Sequence, residues 1–285
     1  MIKKRVVLGL SGGVDSAVTA KLLLDQGYKV DAVYLMCWNE PGCRAEDDRR
    51  DAMKVALQLG LDFRVLDFRA DYKERVLDYF YHEYKEGRTP NPDVLCNREI
   101  KFGLFYDWGK NQGYDFVATG HYSVISDQYQ GSVKKKILCT ARDLKKDQSY
   151  FLYQLRGEQL GHVLFPLGEY MKSEVRSLAE EMNLVVAQKK DSMGICFVGD
   201  VDVRAMLQEK YGVSKGELQL YDGTVIGEHD GYWFFTIGQR GGSYKITIKN
   251  EILKIGVKEY ERTMLPKLYV VDIRKDENVV FGRMY

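Results

Sequence analysis

The 285-residue sequence predicts an α/β protein, in which a parallel sheet covered by helices is followed by a small, mostly β domain. Three observations predict this fold class. In the first half, short continuous apolar runs alternate with amphipathic helical patterns, which is typical of strands buried on both faces of a parallel sheet. Two β-rich runs then flank a glycine. Beyond about residue 200, glycine-punctuated apolar segments indicate short strands. We therefore expect one domain at residues 1–205 and a second at 206–285.

The individual elements follow from these patterns in chain order. Apolar runs predict strands at residues 6–10, 30–36, 63–68 and 115–119, and helical periodicity predicts helices at 15–26, 46–59, 71–85 and 98–111. Residues 121–142 predict a hairpin around Gly131, and helical patterns return at 149–155 and 172–183. In the second domain, a helix at 201–210 precedes predicted strands at 224–227, 232–237, 244–248, 268–273 and 279–281.

Charge and hydropathy exclude several classes of protein. The chain has 42 Lys and Arg against 41 Asp and Glu, a formal net charge of +1. It is therefore not a polycation that holds nucleic acid by overall charge, although a local basic surface remains open. No apolar run approaches the roughly 18 residues of a membrane-spanning helix. The basic N-terminus reaches a glycine-rich turn too soon for a signal peptide. We expect a cytoplasmic protein with no membrane partner.

The five cysteines are widely spread and include no C-x-x-C pair: Cys37, Cys43, Cys96, Cys139 and Cys196. A structural zinc site needs paired ligands at short spacing, and a secreted disulfide scaffold needs an even number, so we expect no metal site built from them. Cys139 alternates along a predicted strand and is expected in the core. Cys37 and Cys43 flank a loop and are expected to be incidental or mildly redox-active.

The most informative stretch joins the first strand to the first helix. Its residues are Gly9, Leu10, Ser11, Gly12, Gly13, Val14, Asp15 and Ser16. Adjacent glycines let the backbone turn tightly and present N–H groups to an anion, and the helix N-terminus and two hydroxyls add to the attraction. The Lys of a Walker loop and the spacing of a dinucleotide-binding loop are both missing. The alternative is a plain glycine-rich turn with a Ser/Asp helix cap.

This stretch resembles the S-G-G-x-D-S loop of the PP-loop ATP pyrophosphatases. Members of that superfamily cleave ATP to AMP and pyrophosphate while they adenylate an oxygen. The resemblance implies ATP and Mg²⁺ as cofactors, bound by residues 9–16. It implies that residues 11–16 hold the pyrophosphate end and that Asp15 orients Mg²⁺. It also implies an adenine-nucleotide hydrolase-like fold for the first domain.

Two cysteines lie in polar, basic segments. Cys96 belongs to N-P-D-V-L-C-N-R-E-I-K-F at 91–102 and precedes a predicted helix, so basic neighbours and the helix dipole favour its thiolate. Cys196 belongs to K-K-D-S-M-G-I-C-F-V-G at 189–199, a basic segment with flanking glycines. We expect both thiols in loops, free to approach one substrate atom, and able to form a disulfide when their Cα atoms come within about 7 Å.

These segments resemble the bacterial tRNA-specific 2-thiouridylase (MnmA) family. The match continues in family order through T-G-H-Y at 119–122, K-D-Q-S-Y-F-L at 146–152, D-G at 222–223 and T-I-G-Q-R at 236–240. Family members adenylate the C2 oxygen of the wobble uridine in certain tRNAs and replace it with sulfur, delivered as a cysteine persulfide by a relay. The resemblance implies a tRNA-uridine 2-sulfurtransferase whose partners are tRNA and a persulfide donor or relay protein.

The resemblance also implies roles for individual residues. Cys196 would bear the persulfide, Cys96 would be its catalytic partner, and Asp93 would act as a base on uridine or sulfur. The nucleotide would be approached by Gly120 and enclosed by Met36. Asn91, Pro92 and Asp93 would lie against the target base, and His121 would face tRNA. Lys146, Asp147 and Gln148 would contact the tRNA backbone. Lys146, Lys189 and Lys190 would form a local basic face.

Two departures and two rival functions remain open. The chain ends soon after its last predicted strand, so we expect the family's C-terminal β-barrel to be absent, in a naturally short or a truncated form. Some sulfur-inserting relatives use an iron–sulfur cluster, which Cys96 and Cys196 could bind only with a third ligand such as Asp93 or Cys43. The rival functions are another PP-loop adenylating synthetase, which needs no paired thiols, and a tRNA-binding or sulfur-carrier protein without turnover.

Overall fold

The structure is a computed structural model that describes residues 3–39, 43–130, 133–191, 196, 202–240, 252–255, 258–261 and 267–284. The chain forms two compact units. The first comprises Met1–Leu77 and Pro92–Asp200, and the second comprises Asp78–Asn91 and Val201–Tyr285. Within the described part of the chain, no helix combines the length and the apolar composition needed to cross a bilayer.

The first unit is built on a five-stranded parallel sheet with strand order β3-β2-β1-β4-β7. Its strands are β1 (Arg5–Gly9), β2 (Lys29–Met36), β3 (Asp62–Asp67), β4 (Phe116–Ala118) and β7 (Val163–Leu164). In β1, the side chains of Val6, Val7 and Leu8 are inaccessible to solvent. The continuous apolar run therefore marks a central strand, as the sequence predicts, whereas edge strand β3 has only exposed and half-buried residues.

The first unit also contains several helices, some of which pack against this sheet. They are α1 (Val14–Asp25), α2 (Ala45–Leu59), α3 (Arg69–Tyr72), α5 (Pro92–Cys96), α6 (Phe105–Asn111), α7 (Gly157–Leu160) and α8 (Lys172–Glu181), while α4 (Asp78–Lys85) belongs to the second unit. Helix α2 buries Ala52, Val55 and Ala56 at helical spacing and ends where Gly60 adopts a φ of +67°. The core of the unit joins α1, α2 and α8 to β1 and β2.

The helix predicted at 98–111 begins earlier than expected. Pro92 starts α5, because the fixed φ of proline suits the first turn of a helix. The π-helical segment Asn97–Leu104 and α6 follow α5 directly. Cys96 therefore lies inside a helix, and the expectation that it occupies a loop is wrong. A second π-helical segment, Lys73–Leu77, follows α3. Such segments are frequent at functional sites.

The predicted hairpin is confirmed: β5 (Val124–Gln130) pairs antiparallel with β6 (Val133–Cys139). Lys134 and Lys136 form ion pairs with Asp127 at 2.9 and 2.7 Å, and both lysine side chains are exposed. Cys139 ends β6 and is only half-buried. The expectation that Cys139 lies in the core is therefore wrong, because this two-stranded sheet stands apart from the central one.

The second unit is mostly β. Besides α4 it contains α9 (Val203–Tyr211), a four-stranded sheet of order β12-β13-β8-β9, and the hairpin of β10 (Ile252–Ile255) with β11 (Lys258–Glu261). The larger sheet consists of β8 (Gly216–Leu220), β9 (Val225–His229), β12 (Leu268–Arg274) and β13 (Val279–Met284). The strand predicted at 232–237 is wrong, because Tyr232–Phe234 form a 3₁₀ turn with buried rings. The strand predicted at 244–248 lies outside the described residues.

Candidate active site

The candidate site lies at the carboxyl ends of β1 and β4, two neighbouring strands at the centre of the sheet. After β1 the chain continues to β2 on one side, and it returns to add β4 on the other side. A crevice opens where the direction of winding reverses, and open α/β sheets bind their ligands there. The loop at residues 9–16 leaves β1 at this point, and the segment 119–122 leaves β4.

The loop between β1 and α1 is arranged around two serines. The Ser16 hydroxyl oxygen accepts from the Ser11 backbone N–H at 3.2 Å, lies 3.1 Å from the Ser11 hydroxyl, and donates to the Gly13 carbonyl at 3.1 Å. Among the described residues, no side chain caps the start of α1 at Gly13. The N–H groups of the first turn therefore remain available to an anion, which the helix dipole also attracts.

Two glycines at this loop have steric reasons to be glycine. Gly12 has a φ of +76°, and a Cβ there would lie 2.2 Å from the Asp48 carbonyl oxygen. A Cβ on Gly120 would lie 3.0 Å from the Ser16 backbone nitrogen. The segment after β4 therefore packs directly against the loop after β1. Gly120 contacts the backbone of the loop at residues 9–16, which we call the phosphate loop, and the sequence did not indicate this neighbour.

Asp15 is surrounded by groups that the sequence did not single out. The Lys172 ammonium lies 2.7 and 2.8 Å from its two carboxylate oxygens, and the Tyr122 hydroxyl donates to Oδ1 at 2.8 Å. Lys172 also contacts Asp191 at 2.9 Å, as does Lys146. Burial opposes the charged form of Asp191, but hydrogen bonds from Lys172 and Lys146 lower its pKa. Asp15 thus belongs to a network of ion pairs that includes Asp191 and Lys172, the first residue of α8.

Lys189 has a different place from the one expected. Its ammonium donates to the Gly12 carbonyl at 2.9 Å and to Asp48 and Asp51, each at 2.7 Å. The side chain is 12% exposed. The hydrogen bond from Lys189 lowers the pKa of Asp51. Lys189 therefore links the loop at residues 9–16 to α2, and its predicted place in a tRNA-binding face stays a prediction. Lys190, beside it, is exposed.

Of the three residues at 146–148, only Lys146 has an exposed side chain. Asp147 accepts from the Ala141 N–H at 2.8 Å and from the Ser149 hydroxyl at 2.7 Å. Gln148 accepts from the Tyr122 N–H at 3.0 Å. Asp147 and Gln148 therefore use these oxygens to hold the segment in place. The predicted contact of these residues with tRNA stays a prediction.

The structure brings the two predicted thiols together. The Sγ atoms of Cys96 and Cys196 lie 3.6 Å apart, although 100 residues separate them in sequence. Cys96 is buried in its helix, and Cys196 is partly exposed. The Cys196 backbone N–H donates to Asp93 Oδ1 at 2.8 Å, and the Tyr72 hydroxyl donates to the Cys196 carbonyl at 2.7 Å. Asp93 therefore positions the backbone of Cys196.

The two thiols differ in their ionisation. The hydrogen bond that Cys96 donates to Cys196 lowers the pKa of Cys196 to about 7, with help from Lys101 and against the effect of burial. Burial and the same hydrogen bond raise the pKa of Cys96 well above its usual value. In this arrangement Cys196, and not Cys96, is the more acidic thiol of the pair.

Two further cysteines, Cys37 and Cys43, lie on either side of the loop after β2. Cys37 is buried at the end of β2, and burial first, then the charge of Cys196, raises its pKa. Cys43 is partly exposed. In the described part of the chain, no group of three or more His, Cys, Asp or Glu is placed to hold a metal ion. The three-ligand iron–sulfur alternative therefore has no ligand set within that part.

Four further predicted site residues are Met36, Asn91, Pro92 and His121. Met36 ends β2 and packs half-buried against the core, Asn91 immediately precedes α5, and Pro92 begins it. His121 is only 8% exposed. One of its ring nitrogens contacts Thr119 and the other contacts Lys101. The ring is therefore almost fully buried, and the predicted contact of His121 with tRNA stays a prediction.

Comparisons with known proteins give the following matches. The family model described as tRNA methyl transferase HUP domain matches residues 4–200, and the model described as tRNA methyl transferase PRC-barrel domain matches residues 204–281. A Streptococcus mutans protein named tRNA-specific 2-thiouridylase MnmA is 47% identical over 244 residues, which cover 84% of this chain and 65% of that protein. A Limosilactobacillus fermentum protein of the same name is 49% identical over 243 residues, with 84% and 64% covered.

The chain thus spans slightly less than two thirds of the length of these curated relatives. Among solved structures, a 4-thiouridine synthetase–RNA complex with bound ATP matches with a TM-score of 0.48 and 17% identity. That match covers 72% of this chain and 49% of the other.

Proposed function

From the premise that the chain belongs to the MnmA family of tRNA-specific 2-thiouridylases, we propose an ATP-dependent sulfur transfer. The C2 oxygen of the wobble uridine of tRNA would be replaced with sulfur, and ATP would be cleaved in the reaction. One observation carries the proposal. In the segment 119–122 after β4, Gly120 packs against the loop at residues 9–16, and His121 contacts Lys101, which in turn interacts with Cys196. An anion-binding loop and two adjacent thiols therefore belong to one continuous site.

The phosphate loop supports the ATP-dependent step. The uncapped N–H groups at the start of α1, the hydroxyls of Ser11 and Ser16, and the Asp15 carboxylate fit the pyrophosphate end of ATP with its metal. Mg²⁺ bound there would neutralise phosphate charge. The loop would hold the β- and γ-phosphates as the uridine C2 oxygen attacks the α-phosphorus, so that pyrophosphate leaves and AMP remains on the oxygen.

The thiol pair supports the sulfur step. A persulfide on Cys196 would attack the activated C2 carbon, and AMP would leave with the original oxygen and its electron pair. The Cys96 thiolate, formed by loss of its proton, would then attack Cys196 Sγ and break the S–S bond. This step leaves sulfur on C2 and a Cys96–Cys196 disulfide, which a thiol reductant must reduce before the next turnover. The 3.6 Å Sγ–Sγ distance supports this exchange.

The proposal includes the partners and the surroundings. The substrate would be tRNA, and a persulfide donor or relay protein would load Cys196. The protein would act in the cytoplasm, where thiols are kept reduced. An amide-forming synthetase with the same phosphate loop would have no use for adjacent thiols, so the thiol pair favours sulfur transfer.

A single-turnover assay tests the proposal. Protein, tRNA, Mg²⁺-ATP and a persulfide donor are mixed, and thiolated tRNA, AMP and pyrophosphate are measured. We expect equal amounts of the three products from the unaltered chain. The Cys196→Ser variant should form no thiolated tRNA. Formation of ADP as the tRNA-dependent product, or thiolation by Cys196→Ser, would contradict the proposed function.

A further inference from the structure

A lysine with no part in the proposed sulfur relay lies beside the thiol pair. Lys101 occupies the π-helical segment that contains Asn97–Leu104, little more than one turn beyond Cys96. Its ammonium lies 3.3 Å from His121 Nε2. It also donates a hydrogen bond to the Cys196 side chain. One cation therefore contacts both a buried histidine and the more acidic thiol.

The hydrogen bonds determine which nitrogen of His121 carries the proton. A lysine ammonium only donates, so His121 Nε2 must accept from Lys101. The ring proton then lies on Nδ1, which donates to the Thr119 hydroxyl at 2.7 Å. Burial, followed by the charge of Lys101, lowers the pKa of His121 well below its usual value, so the ring stays neutral. His121 is thus an oriented acceptor for the Lys101 ammonium.

After the hydrogen bond from Cys96, Lys101 is the group that most lowers the pKa of Cys196. Burial disfavours the Lys101 ammonium, but the charges of Cys196 and Cys96 raise its pKa, so it stays protonated. Asp93 acts in the opposite direction and disfavours a negative charge on Cys196. The Tyr72 hydroxyl donates to the Cys196 carbonyl and not to its sulfur. Among the described groups with the strongest effects on Cys196, Lys101 is the one cation.

We propose that Lys101 binds the anionic sulfur of Cys196 before and after persulfide loading, and that His121 is a positioning residue that holds the Lys101 ammonium against that sulfur. The role in loading rests on the proposed function. In that step the Cys196 thiolate attacks the terminal sulfur of a donor R–S–SH. The new S–S bond forms on Cys196, and R–S⁻ leaves with the electron pair, without net oxidation. The ammonium would stabilise the anion on Cys196 before the attack and the deprotonated persulfide after it.

The pH dependence of Cys196 alkylation tests this inference without ATP, tRNA or a sulfur donor. Iodoacetamide is added to the full chain at a series of pH values, and peptide mass spectrometry follows the modification of Cys196. For the unaltered chain we expect a midpoint at about pH 7. Lys101→Met should raise the midpoint by at least one unit, which lowers the thiolate fraction at pH 7 from about one half to about one tenth or less and the rate by roughly fivefold or more. Lys101→Arg, which keeps the charge, should recover most of this loss.

Further variants separate the two roles. His121→Phe should also raise the midpoint, and His121→Gln, which keeps an acceptor, should raise it less. Asp93→Asn should lower it, because a negative neighbour is removed while an acceptor for the Cys196 N–H remains. Lys135→Met, on the exposed hairpin, is the matched control and should leave it unchanged. Circular dichroism and thermal unfolding identify any variant that has not folded.

Two results would overturn the inference. One is a folded Lys101→Met variant with an unchanged alkylation midpoint. The other is a His121→Phe variant that loses affinity for tRNA while its midpoint stays the same, since His121 would then act on tRNA and not through Lys101. The proposed function fails separately: if the midpoints shift as expected but the unaltered chain makes no thiolated tRNA, the anion site stands and the sulfur-transfer proposal does not.

Discussion

Lys172 forms a two-oxygen ion pair with Asp15, with its Nζ at 2.7 and 2.8 Å from the two carboxylate oxygens. The same ammonium reaches Asp191, which begins the segment that leads to Cys196. The lysine side chain is 13% exposed, so solvent screens these contacts only in part. Asp15 in the phosphate loop and Asp191, five residues before Cys196, therefore share the Lys172 ammonium as a partner.

The first prediction concerns Asp15. Asp15→Asn removes a carboxylate from the phosphate loop while it keeps an acceptor for Tyr122 and Lys172. We expect pyrophosphate release to fall by about 100-fold or more, because charge placed at a reacting phosphate has effects of that size. Thermal unfolding should change little, since Lys172 keeps its pair with Asp191. Asp25→Asn, at the exposed end of α1, is the control, and undiminished pyrophosphate release from Asp15→Asn would show that this carboxylate is not needed.

The second prediction concerns Gly120. In Gly120→Ala the added methyl would lie 3.0 Å from the Ser16 nitrogen and 3.1 Å from the Asp15 carbonyl carbon. Both neighbours are backbone atoms, so the phosphate loop itself must shift. We expect the affinity for Mg²⁺-ATP to fall by about tenfold, measured by calorimetry. Gly157→Ala is the matched control, because its methyl would meet nothing within 4 Å. Equal affinities in the two variants would rule out this contact as a constraint on the loop.

The third prediction concerns the thiol pair. Cys196→Ser should prevent persulfide loading, whereas Cys96→Ser should still load sulfur but fail to release thiolated tRNA, because no thiol remains to break the S–S bond. Cys139→Ser should keep the chemistry, since this half-buried cysteine lies in the separate hairpin. Mass spectrometry after incubation with a persulfide donor locates the added sulfur. Sulfur found on Cys43 or Cys139 instead of Cys196 would refute the assignment.

The fourth prediction concerns the pH dependence of loading. The pKa of Cys196 is lowered to about 7 by the hydrogen bond from Cys96 and by Lys101. Because the lowered pKa belongs to an acid, the reactive anion is present above pH 7 and is lost as the pH falls through 7. The rate of persulfide loading should therefore rise with pH and level off above about 7. A loading rate whose midpoint lies near the pKa of an ordinary cysteine would contradict this prediction.

The fifth prediction compares the mostly buried Lys189 with the more exposed Lys146. Lys189→Met should destabilise the fold by roughly 1–3 kcal/mol in denaturant unfolding, because it leaves Asp48 and Asp51 without their partly buried partner. Lys146→Ala should leave stability nearly unchanged, because its ion pair with Asp191 is partly exposed and Asp191 keeps its pair with Lys172. It should weaken tRNA binding and reduce the salt dependence by about one unit. Unchanged affinity and salt slope would show that Lys146 does not contact the phosphate backbone.

Local sequence patterns were sufficient for most elements of the first unit. The helical stripe of α2 and the apolar run of β1 bury their residues as their periodicity predicts, because these patterns depend on neighbours a few positions apart. The start of α5 could also have been predicted, since Pro92 is a signal for the first turn of a helix. The 3₁₀ turn at Tyr232–Phe234 could not, because an aromatic run suits a strand and a buried turn equally well.

The sequence by itself determined the fold class, the phosphate loop and the identity of the two thiols, because each depends on residue types at fixed spacing along the chain. Only the tertiary structure decided which thiol is acidic, which lysine is structural and which residues surround Asp15. Cys196 and Cys96 are 100 residues apart, and Lys172 and Asp15 are 157 apart. An ionisation state depends on burial and on charges within a few ångströms. Those neighbours exist only once the chain has folded.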